Sequence, residues 1–407
     1  MATATTVDFS ASAGAEYAVP NLTEEAAMRT SKVLQENHDK NDIIFTDIGL
    51  HNHIVHHICT SFALGATPEI IQKNYDKNDS YQRAPPPLHD ELAQDIRDPK
   101  VFIANMFRPK TYPDYLKLFT EEIEEKGYQE VIQEYVFKGD ERANIMFNRL
   151  FAGYLHPIIH LGFGIEFKQP AIIAEALGQT AIHPTFLDPF FIAVEQSITQ
   201  APQPRDHLVN ILDKIRADEK LSTAAHWEDD HKVRDGIMVR AKDEMIKYVS
   251  QWQVKSDELE EETAEMINAC AYISGAAQHP PKQINFDFYY MHAINSSIFF
   301  STFLKQDWIS TANKVKLLNW KGRLDLCLYA SRRSPALLLD EITNYVPKHS
   351  PSNWDAVIAR AREFDDDGHA CKFVRALAHG ERICAPFEEN NARFRIKGKM
   401  WLQIANM

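Results

Sequence analysis

The fold class of this chain is decided by residues 140–167, which read DERANIMFNRLFAGYLHPIIHLGFGIEF. Their apolar residues recur at helical spacing, and the run is too long for a buried strand. Pro157 lies inside it and predicts either a kink or a new helix that begins just after His156. A second stretch, 112–137, sets apolar residues three and four apart opposite a charged face, which predicts an amphipathic helix. Signals of this kind predict a mainly α protein.

The composition is that of a globular protein with a large core. The chain has 407 residues, of which 44% are hydrophobic and 25% charged. No Gly/Ser-rich or Pro-rich linker divides the interior, so we expect one large multi-helix catalytic domain over residues 21–407, with few strands. The small and polar residues 1–20 predict a flexible tail. Strand-like alternation is confined to FRIKGKMWLQIANM, residues 394–407.

Charge and targeting signals exclude several classes of partner. The net charge is −13, and no basic patch with interleaved aromatic residues is present, so nucleic acid is not expected as a partner. Apolar runs are shorter than the roughly 20 residues that cross a bilayer. The first residues, MATATTVDFSASAGAE, lack the basic and apolar regions of a signal peptide. We therefore expect a cytoplasmic protein without a membrane partner.

Cysteine usage fits the same compartment. The five cysteines have no CxxC spacing, which is typical of reduced thiols that serve packing. They are Cys59, Cys270, Cys327, Cys371 and Cys384.

Histidines lie inside several apolar helical stretches. His53 lies in HNHIVHHICTSFALG, His156 in GYLHPIIHLGFGIEF and His292 in FYYMHAINSSIFF. A buried imidazole needs a hydrogen-bond partner, and one metal ion can satisfy several imidazoles at once. The sequence therefore favours a metal site over scattered structural histidines.

Taken one at a time, these histidines have an ordinary structural interpretation as well. His53, His56 and His57 span one helical turn, so at most two of them can face the same point. His156 and His160 are four residues apart and share a helix face, although the proline between them disturbs that geometry. Satisfied core histidines remain an alternative for each of these positions.

A lysine follows a histidine at helical spacing near the end of the chain. His369 and Lys372 lie three residues apart in the apolar helix GHACKFVRAL, so they share a face. Lys372 could extend to water, act as a deprotonated base, or react with carbon dioxide to form a carbamate that serves as an anionic ligand. A shell of histidines and one carboxylate-like group suits ferrous iron. Asp365, Asp366 and Asp367 precede the pair and predict an acidic cluster that stabilises the helix dipole.

Other catalytic motifs are missing. GFGIEF, residues 162–167, has only two glycines in a helical context and does not predict a Rossmann site for NADPH or FAD. The sequence has no P-loop, no GxSxG elbow and no CxxCH haem motif. Metal chemistry is therefore the leading catalytic hypothesis.

At these stretches the chain resembles the questin oxidase-like proteins of fungal polyketide pathways. The resemblance covers nearly the whole chain from about residue 40 and rests on HNHIVHHICTSFALGATPEIIQ, GYLHPIIHLGFGIEF, FYYMHAINSSIFF and GHACKFVRALAHGE. It separates five candidate metal ligands from the remaining histidines. These are His53, His156, His292, His369 and Lys372, with Asn52 matching the residue before the first histidine.

The resemblance implies oxidative opening of an anthraquinone ring to a benzophenone-type product. Two mechanisms fit that outcome. In one, Fe(II) held by the four histidines and carbamylated Lys372 activates dioxygen, with one coordination position left open. In the other, a Baeyer–Villiger oxidation draws electrons from NADPH. The residues favour the first, with Lys372 also counted as catalytic and His160 as a reserve ligand or hydrogen-bond partner of a ligand.

Aromatic residues near the candidate ligands have two interpretations. They could line a flat pocket for a tricyclic substrate, or they could belong to the core. They are Tyr154, Phe163, Phe288, Tyr289 and Tyr290.

Two further classes compete with the iron enzyme. A non-enzymatic helical scaffold would normally show a repeat period, and none stands out. A metal-dependent hydrolase with a carbamylated lysine would be expected to bring aspartate ligands and many strands. The sequence leaves the particular anthraquinone and the oligomeric state, possibly a homodimer, open.

Overall fold

The segments in which apolar residues recur at helical spacing form α-helices along the described chain. The computed structural model describes residues 1–12, 14–47, 49–184 and 186–407. Within these ranges, extended pairing is limited to an isolated antiparallel bridge between Ile44 and His51. The mainly α class predicted from the sequence is confirmed. No described helix is both long and apolar enough to cross a membrane.

Contacts divide the chain into two compact units. Unit 1 comprises Met1–Thr185 and Ile358–Arg375, and unit 2 comprises Phe186–Val357 and Ala376–Met407. The segments of the two units thus alternate along the sequence, and each unit has two of them. The single catalytic domain over 21–407 that the sequence led us to expect stays a prediction.

The helices follow one another with short connections. In unit 1 they are α1 (Glu24–Lys40), α2 (Ile54–Ala63), α3 (Pro68–Asp79), α4 (Asp90–Asp95), α5 (Pro99–Asn105), α6 (Tyr112–Lys126), α7 (Tyr128–Ile132), α8 (Glu141–Arg149), α9 (Ala152–Glu166) and α10 (Pro170–Ile182). In unit 2 they are α11 (Asp188–Gln200), α12 (Leu208–Ala217), α13 (Glu219–Ala224), α14 (Met238–Arg240), α15 (Lys242–Val249), α16 (Leu259–Ala276), α17 (Phe288–Leu304), α18 (Thr311–Ser331) and α19 (Leu339–Thr343). Then come α20 (Trp354–Glu363) and α21 (His369–Cys384), which contain residues of both units, and α22 (Met400–Asn406) in unit 2.

Glycine and proline set several of the helix ends. Gly127, at φ 83°, ends α6, so the amphipathic helix predicted over 112–137 is interrupted there. Gly65, at φ 76°, follows α2, and Thr67 caps α3 by accepting from the backbone N–H of Ile70. Residues 394–407 are not a strand, because Met400–Asn406 form α22. The alternation that predicted a strand there was misleading.

The α9–α10 pair forms the centre of unit 1. These helices run antiparallel, since Glu175 of α10 contacts His160 of α9, while a Cβ at Gly164 would meet Ile173. Both helices are apolar around almost their whole circumference, which is typical of helices enclosed by other elements. They provide a rigid support for the polar residues that they carry.

The N-terminal segment lies along unit 1. Val7 and Phe9 are buried, and the backbone N–H of Val7 donates to Gln35 Oε1 at 2.8 Å. Arg375 Nε donates to the carbonyl of Tyr17 at 3.0 Å. The N-terminal segment is therefore packed against unit 1 in this structure. The flexibility of residues 1–20 in solution stays a prediction.

A buried ion pair links α9 to α21 within unit 1. Arg375 donates from both terminal nitrogens to the Glu166 carboxylate, at 2.5 and 3.1 Å, and both side chains are 2% exposed. The Glu166 carboxylate also accepts from the backbone N–H of Glu16 at 2.6 Å. Because neither charge reaches water, the removal of one partner leaves the other uncompensated.

We expect Arg375→Met to lower the free energy of unfolding by about 3–5 kcal/mol, because it strands the Glu166 carboxylate in the interior. The matched control is Lys117→Met, whose ion pair with Glu121 is exposed and should contribute less than about 1 kcal/mol. Urea unfolding followed by circular dichroism measures both. Equal losses in the two variants would show that the buried pair has no special role.

Candidate metal centre

Hydrogen bonds fix the start of α2, where the first candidate ligand lies. The side-chain oxygen of Asn52 accepts from the backbone N–H of Ile54 at 2.9 Å, and its amide donates to Asn37 Oδ1 at 2.8 Å. His53 follows Asn52 directly and is 7% exposed.

A strained turn positions the second candidate ligand. Gly153, Tyr154 and Leu155 have φ values of 51°, 55° and 71°, which is the left-handed region that only glycine adopts easily. The regular turns of α9 therefore resume at His156, one residue earlier than the restart predicted from Pro157. His156 Nδ1 donates to the carbonyl of Gly153 at 2.5 Å. Such strain is characteristic of functional sites.

The acidic cluster before α21 divides into two roles. Asp366 accepts from the backbone N–H groups of Gly368 and Ala370, both at 2.7 Å, so it caps the helix as expected from the sequence. Asp367 does something else. Its two carboxylate oxygens accept from His53 Nδ1 at 2.6 Å and His369 Nδ1 at 2.5 Å. Sequence reasoning missed this role, because nothing in the DDD run distinguishes its third member.

These acceptors determine which nitrogen of each imidazole carries the proton. A carbonyl or carboxylate oxygen only accepts, so Nδ1 is the protonated nitrogen in His53, His156 and His369. Nε2 then carries the lone pair in each neutral ring. A histidine that binds a metal through Nε2 is usually oriented in this way, by an oxygen acceptor on Nδ1.

The Nε2 atoms of His53 and His156 lie 2.7 Å apart. With both protons on Nδ1, two lone pairs would face each other across this contact, which a shared proton or a metal ion would relieve. Adjacent nitrogen ligands of one ion lie about 3 Å apart when the bonds are about 2.1 Å long and perpendicular. His53 and His369 also lie close together, with ring centroids 4.8 Å apart, and Asp367 completes a group whose potential ligand atoms are within 4.8 Å of one another. Because the Asp367 oxygens already accept from the two Nδ1 atoms, this carboxylate orients the imidazoles and is not counted among the ligands. The donor set therefore fits a metal ion.

Lys372 is buried in the same part of unit 1. It is 4% exposed and makes no side-chain hydrogen bond or ion pair with any described residue. Burial lowers its pKa, although Asp367 opposes the shift. Burial followed by the nearby Lys372 charge also lowers the pKa of His53 to about 3 and lowers that of His369. Burial thus disfavours the ammonium form of this lysine, while the Asp367 charge favours it.

Burial and hydrogen bonding compete at Asp367. Burial alone would raise the pKa of this carboxyl, but the hydrogen bonds from His369 and His53 outweigh it and hold the pKa far below its usual value. The hydrogen bonds therefore favour the charged form of this carboxyl. It supplies one negative charge to a group of imidazoles.

The fourth candidate histidine, His292, belongs to unit 2. It lies on α17, is 1% exposed, and its Nδ1 donates to the carbonyl of Phe288 at 2.7 Å. Four of the five predicted ligands thus lie in unit 1, where the structure brings His53, His156 and His369 together. The role of His292 as a ligand stays a prediction.

His160 has a partner of its own. Its Nε2 lies 2.8 Å from Glu175 Oε2, and His38 Nδ1 lies 2.6 Å from the other oxygen of that carboxylate. Burial would raise the pKa of Glu175, but the hydrogen bonds from His160 and His38 outweigh it and lower the pKa to about 2. Glu175 is not one of the candidate ligands, so this contact tests neither role expected for His160, as a reserve ligand or as a hydrogen-bond partner of a ligand. The catalytic role of His160 stays a prediction.

A second pair of histidines lies beside the first. His51 Nε2 and His183 Nε2 are 2.7 Å apart, and the His51 ring stacks on that of His156 with centroids 3.9 Å apart. A Cβ at Gly153 would come within 2.6 Å of His183. Gly153 therefore leaves space for His51 and His183 because it has no side chain, and its carbonyl accepts the hydrogen bond from His156. Sequence reasoning missed His183, which has no histidine at helical spacing.

The candidate aromatic residues also fall into both units. Phe163 of α9 is buried with its ring 5.5 Å from that of His56, and Tyr154 lies in the strained turn. In unit 2, Tyr290 lines a cleft of about 1150 Å³, together with Phe286 and Arg332. Whether these aromatic rings contact a substrate stays a prediction. The five cysteines are buried and unpaired, as expected from the sequence.

The fold and the buried imidazole cluster define a helical protein with a candidate metal centre, and comparison with known proteins gives its family. Residues 50–377 match the questin oxidase-like family. This chain belongs to that family. A curated relative is the questin oxidase of Aspergillus fumigatus, 37% identical over 418 residues that cover 100% of this chain and 93% of the relative.

Other relatives have similar coverage. The Baeyer–Villiger oxidase ptaJ of Pestalotiopsis fici is 40% identical over 93% of this chain and 86% of its own length. The oxidoreductase AflY of Aspergillus parasiticus is 40% identical over 96% of this chain and 79% of its own length. These names support an oxidoreductase and argue against the scaffold and hydrolase alternatives.

We expect Asp367→Asn to weaken metal binding by about 10- to 100-fold, because a neutral amide holds His53 and His369 less firmly in the ligating tautomer. Asp365→Asn is the matched control, since Asp365 is exposed and pairs with Lys77. Isothermal titration of the metal-free protein with Fe(II) under anaerobic conditions measures both. Equal affinity in the two variants would exclude a role for Asp367.

A pH-dependent loss of stability should follow from the burial of His183. Burial, and then the Arg149 charge, lower the pKa of His183 to about 4, so it stays neutral in the folded chain while the unfolded chain takes up a proton below about 6.5. The stability contribution is present above pH 6.5 and is lost as the pH falls towards 4. Between pH 7 and 5.5 this amounts to about 1 kcal/mol.

In His183→Phe, the free energy of unfolding should fall by about 1 kcal/mol less between pH 7 and 5.5 than in the wild type. In the control His279→Phe, which replaces an exposed histidine, it should fall as in the wild type. Urea unfolding at the two pH values measures the difference. A His183→Phe protein with the wild-type pH slope would contradict the assignment.

Proposed function

We propose that this chain is a non-haem iron oxygenase that acts on an anthraquinone after the quinone has been reduced by two electrons to its hydroquinone. Dioxygen then opens the ring: one carbon–carbon bond breaks, and both oxygen atoms enter a benzophenone-type carboxylic acid. The observation that carries the proposal is the 2.7 Å approach of His53 Nε2 and His156 Nε2, two nitrogens whose rings are both protonated at Nδ1. Asp367 also fixes the ring of His369, whose centroid lies 4.8 Å from that of His53. Buried imidazoles with a carboxylate partner suit ferrous iron.

In unit 1 the ligands in this proposal are His53, His156, His369 and Lys372. His292 is retained from the sequence alone. Ferrous iron bound by this set would supply the one-electron chemistry that dioxygen needs in order to react with a closed-shell aromatic compound. The chain's own residues exclude water, keep the imidazoles in one tautomer and maintain the charge balance.

Lys372 enters the proposal as a carbamate. Its neutral amine attacks carbon dioxide, a nitrogen–carbon bond forms, and one proton is released. The product is an anionic oxygen donor at the end of the lysine side chain, which removes the cation from among His53, His369 and their neighbours. Burial supports this reaction, because it lowers the pKa of Lys372 and favours the neutral amine.

The substrate class rests on the family. One relative is named a questin oxidase, and several others are named Baeyer–Villiger oxidases. Questin is an anthraquinone, so a planar aromatic polyketide is the substrate class that we propose for this chain.

The names of the relatives also favour a second candidate, an NADPH-dependent Baeyer–Villiger oxidation of the same substrate class. Here a lactone would form and then be hydrolysed to the ring-opened product. The sequence offers no dinucleotide fingerprint for NADPH, which is why we place this candidate second.

Metal content and oxygen uptake separate the two candidates. The protein is purified without added metal, and its iron is measured by inductively coupled plasma mass spectrometry. Oxygen consumption above the uncatalysed background is followed with an anthraquinone that has been chemically reduced to its hydroquinone, in the absence of NADPH. About one iron per chain with oxygen consumption supports the iron oxygenase. A metal-free protein that is active only with NADPH supports the second candidate, and a protein with neither property contradicts both.

We expect Lys372→Ala to decrease bound iron or turnover by about tenfold or more, because it removes the carbamate ligand. The helical circular dichroism spectrum should remain that of the wild type. Lys77→Ala serves as the control, since Lys77 pairs with the exposed Asp365. Full iron content and full turnover in Lys372→Ala would exclude this lysine as a ligand.

A further inference from the structure

His56 is a buried imidazole that lacks a hydrogen-bond partner. Its side chain is 0% exposed, and neither Nδ1 nor Nε2 has a partner among the described residues. An imidazole always carries at least one N–H donor, and the neutral ring also has a lone pair. Proteins seldom leave such a group unsatisfied, and the exceptions often mark a place where a ligand or water binds.

The His56 ring is surrounded by residues of the candidate centre. Its ring centroid is 5.7 Å from that of His53, 6.0 Å from His156 and 5.2 Å from His160. The ring of Phe163 stacks against it at 5.5 Å. His56 therefore lies one helical turn beyond His53, with imidazoles on several sides and an apolar ring on another.

A second buried polar side chain without a partner belongs to the same region. Gln179 of α10 is 0% exposed, and neither atom of its amide is hydrogen-bonded to a described residue. The antiparallel register of α9 and α10 pairs His160 with Glu175. His156 precedes His160 by one turn of α9, and Gln179 follows Glu175 by one turn of α10. In an antiparallel pair, this register places His156 and Gln179 opposite each other.

The next residue in the sequence provides a comparison. His57 is also buried, at 1% exposed, but its Nδ1 is 3.1 Å from the amide nitrogen of Asn78, which donates to it. Consecutive residues on a helix face different directions, and His57 packs against Gly368, where an added Cβ would come within 2.6 Å of it. His57 has the environment of a structural histidine, and His56 does not.

We propose that His56 is a further catalytic residue, which hydrogen-bonds an oxygen atom of the ligand that binds beside His53 and His156. This inference rests on the proposed function for the identity of that ligand. An oxygen that accepts a hydrogen bond could belong to dioxygen or to a hydroxyl or carbonyl group of the anthraquinone. The side-chain amide of Gln179, which has no hydrogen-bond partner among the described residues, offers the same ligand a second polar contact.

Two binding measurements test the proposal on wild type, His56→Leu, His56→Gln and the matched control His57→Leu. In the first, metal-free protein is titrated with 1,8-dihydroxyanthraquinone, and binding is followed by absorbance. In the second, protein reconstituted anaerobically with Fe(II) is titrated with nitric oxide, a dioxygen analogue. The iron content of every protein is measured alongside.

We expect His56→Leu to keep the wild-type iron content and to bind one of the two ligands about tenfold more weakly, which identifies the ligand that His56 contacts. His57→Leu should bind both ligands as the wild type does. His56→Gln should recover part of the affinity, because its amide restores an N–H donor, and it also decides the test if His56→Leu fails to fold.

Wild-type affinity of His56→Leu for both ligands would overturn the inference, and so would the loss of iron from that variant, which would make His56 a metal ligand. A wild-type protein that takes up no iron overturns the proposed function instead. The anthraquinone measurement then decides the role of His56 by itself, and a wild type that binds no anthraquinone either overturns both.

Discussion

The two hydrogen bonds of the Asp367 carboxylate are the interaction on which the candidate centre depends. They fix the rings of His53 and His369, which come from α2 and α21 and are more than 300 residues apart in the sequence. Without this carboxylate, each ring could rotate or exchange its protonated nitrogen. With it, the Nε2 lone pairs have set directions before any ligand arrives. This preorganisation lowers the cost of binding a metal.

The strained turn before α9 makes the same contribution for His156. Three consecutive left-handed residues would be unfavourable in an ordinary connection. Here they aim the carbonyl of Gly153 at His156 Nδ1 and bring the bare α-carbon of Gly153 against His51 and His183. The absence of a side chain at this position is needed twice, once for the backbone conformation and once for the space.

Sequence reasoning predicted the helical class because apolar residues at spacings of three and four dominate the chain. It also selected four residues in unit 1 that the structure places in one buried region, chiefly through the resemblance to a family. It could not assign Asp367 or His183, because their roles arise from tertiary contacts that leave no local pattern. Gly127 and α22 show the same limit for secondary structure, since one glycine ended a periodic helix and a short alternation did not form a strand.

The alternation of the two units along the sequence has a consequence for the order of events during synthesis. A ribosome produces the first 185 residues of unit 1 and then the whole of Phe186–Val357 before it reaches Ile358–Arg375. His53 and His156 therefore emerge long before Asp367, His369 and Lys372. The Arg375 side chain, which pairs with Glu166 and holds the carbonyl of Tyr17, is later still. A nascent chain has no complete candidate ligand set, so a metal that requires all of these residues could be bound only after nearly the entire protein has been translated.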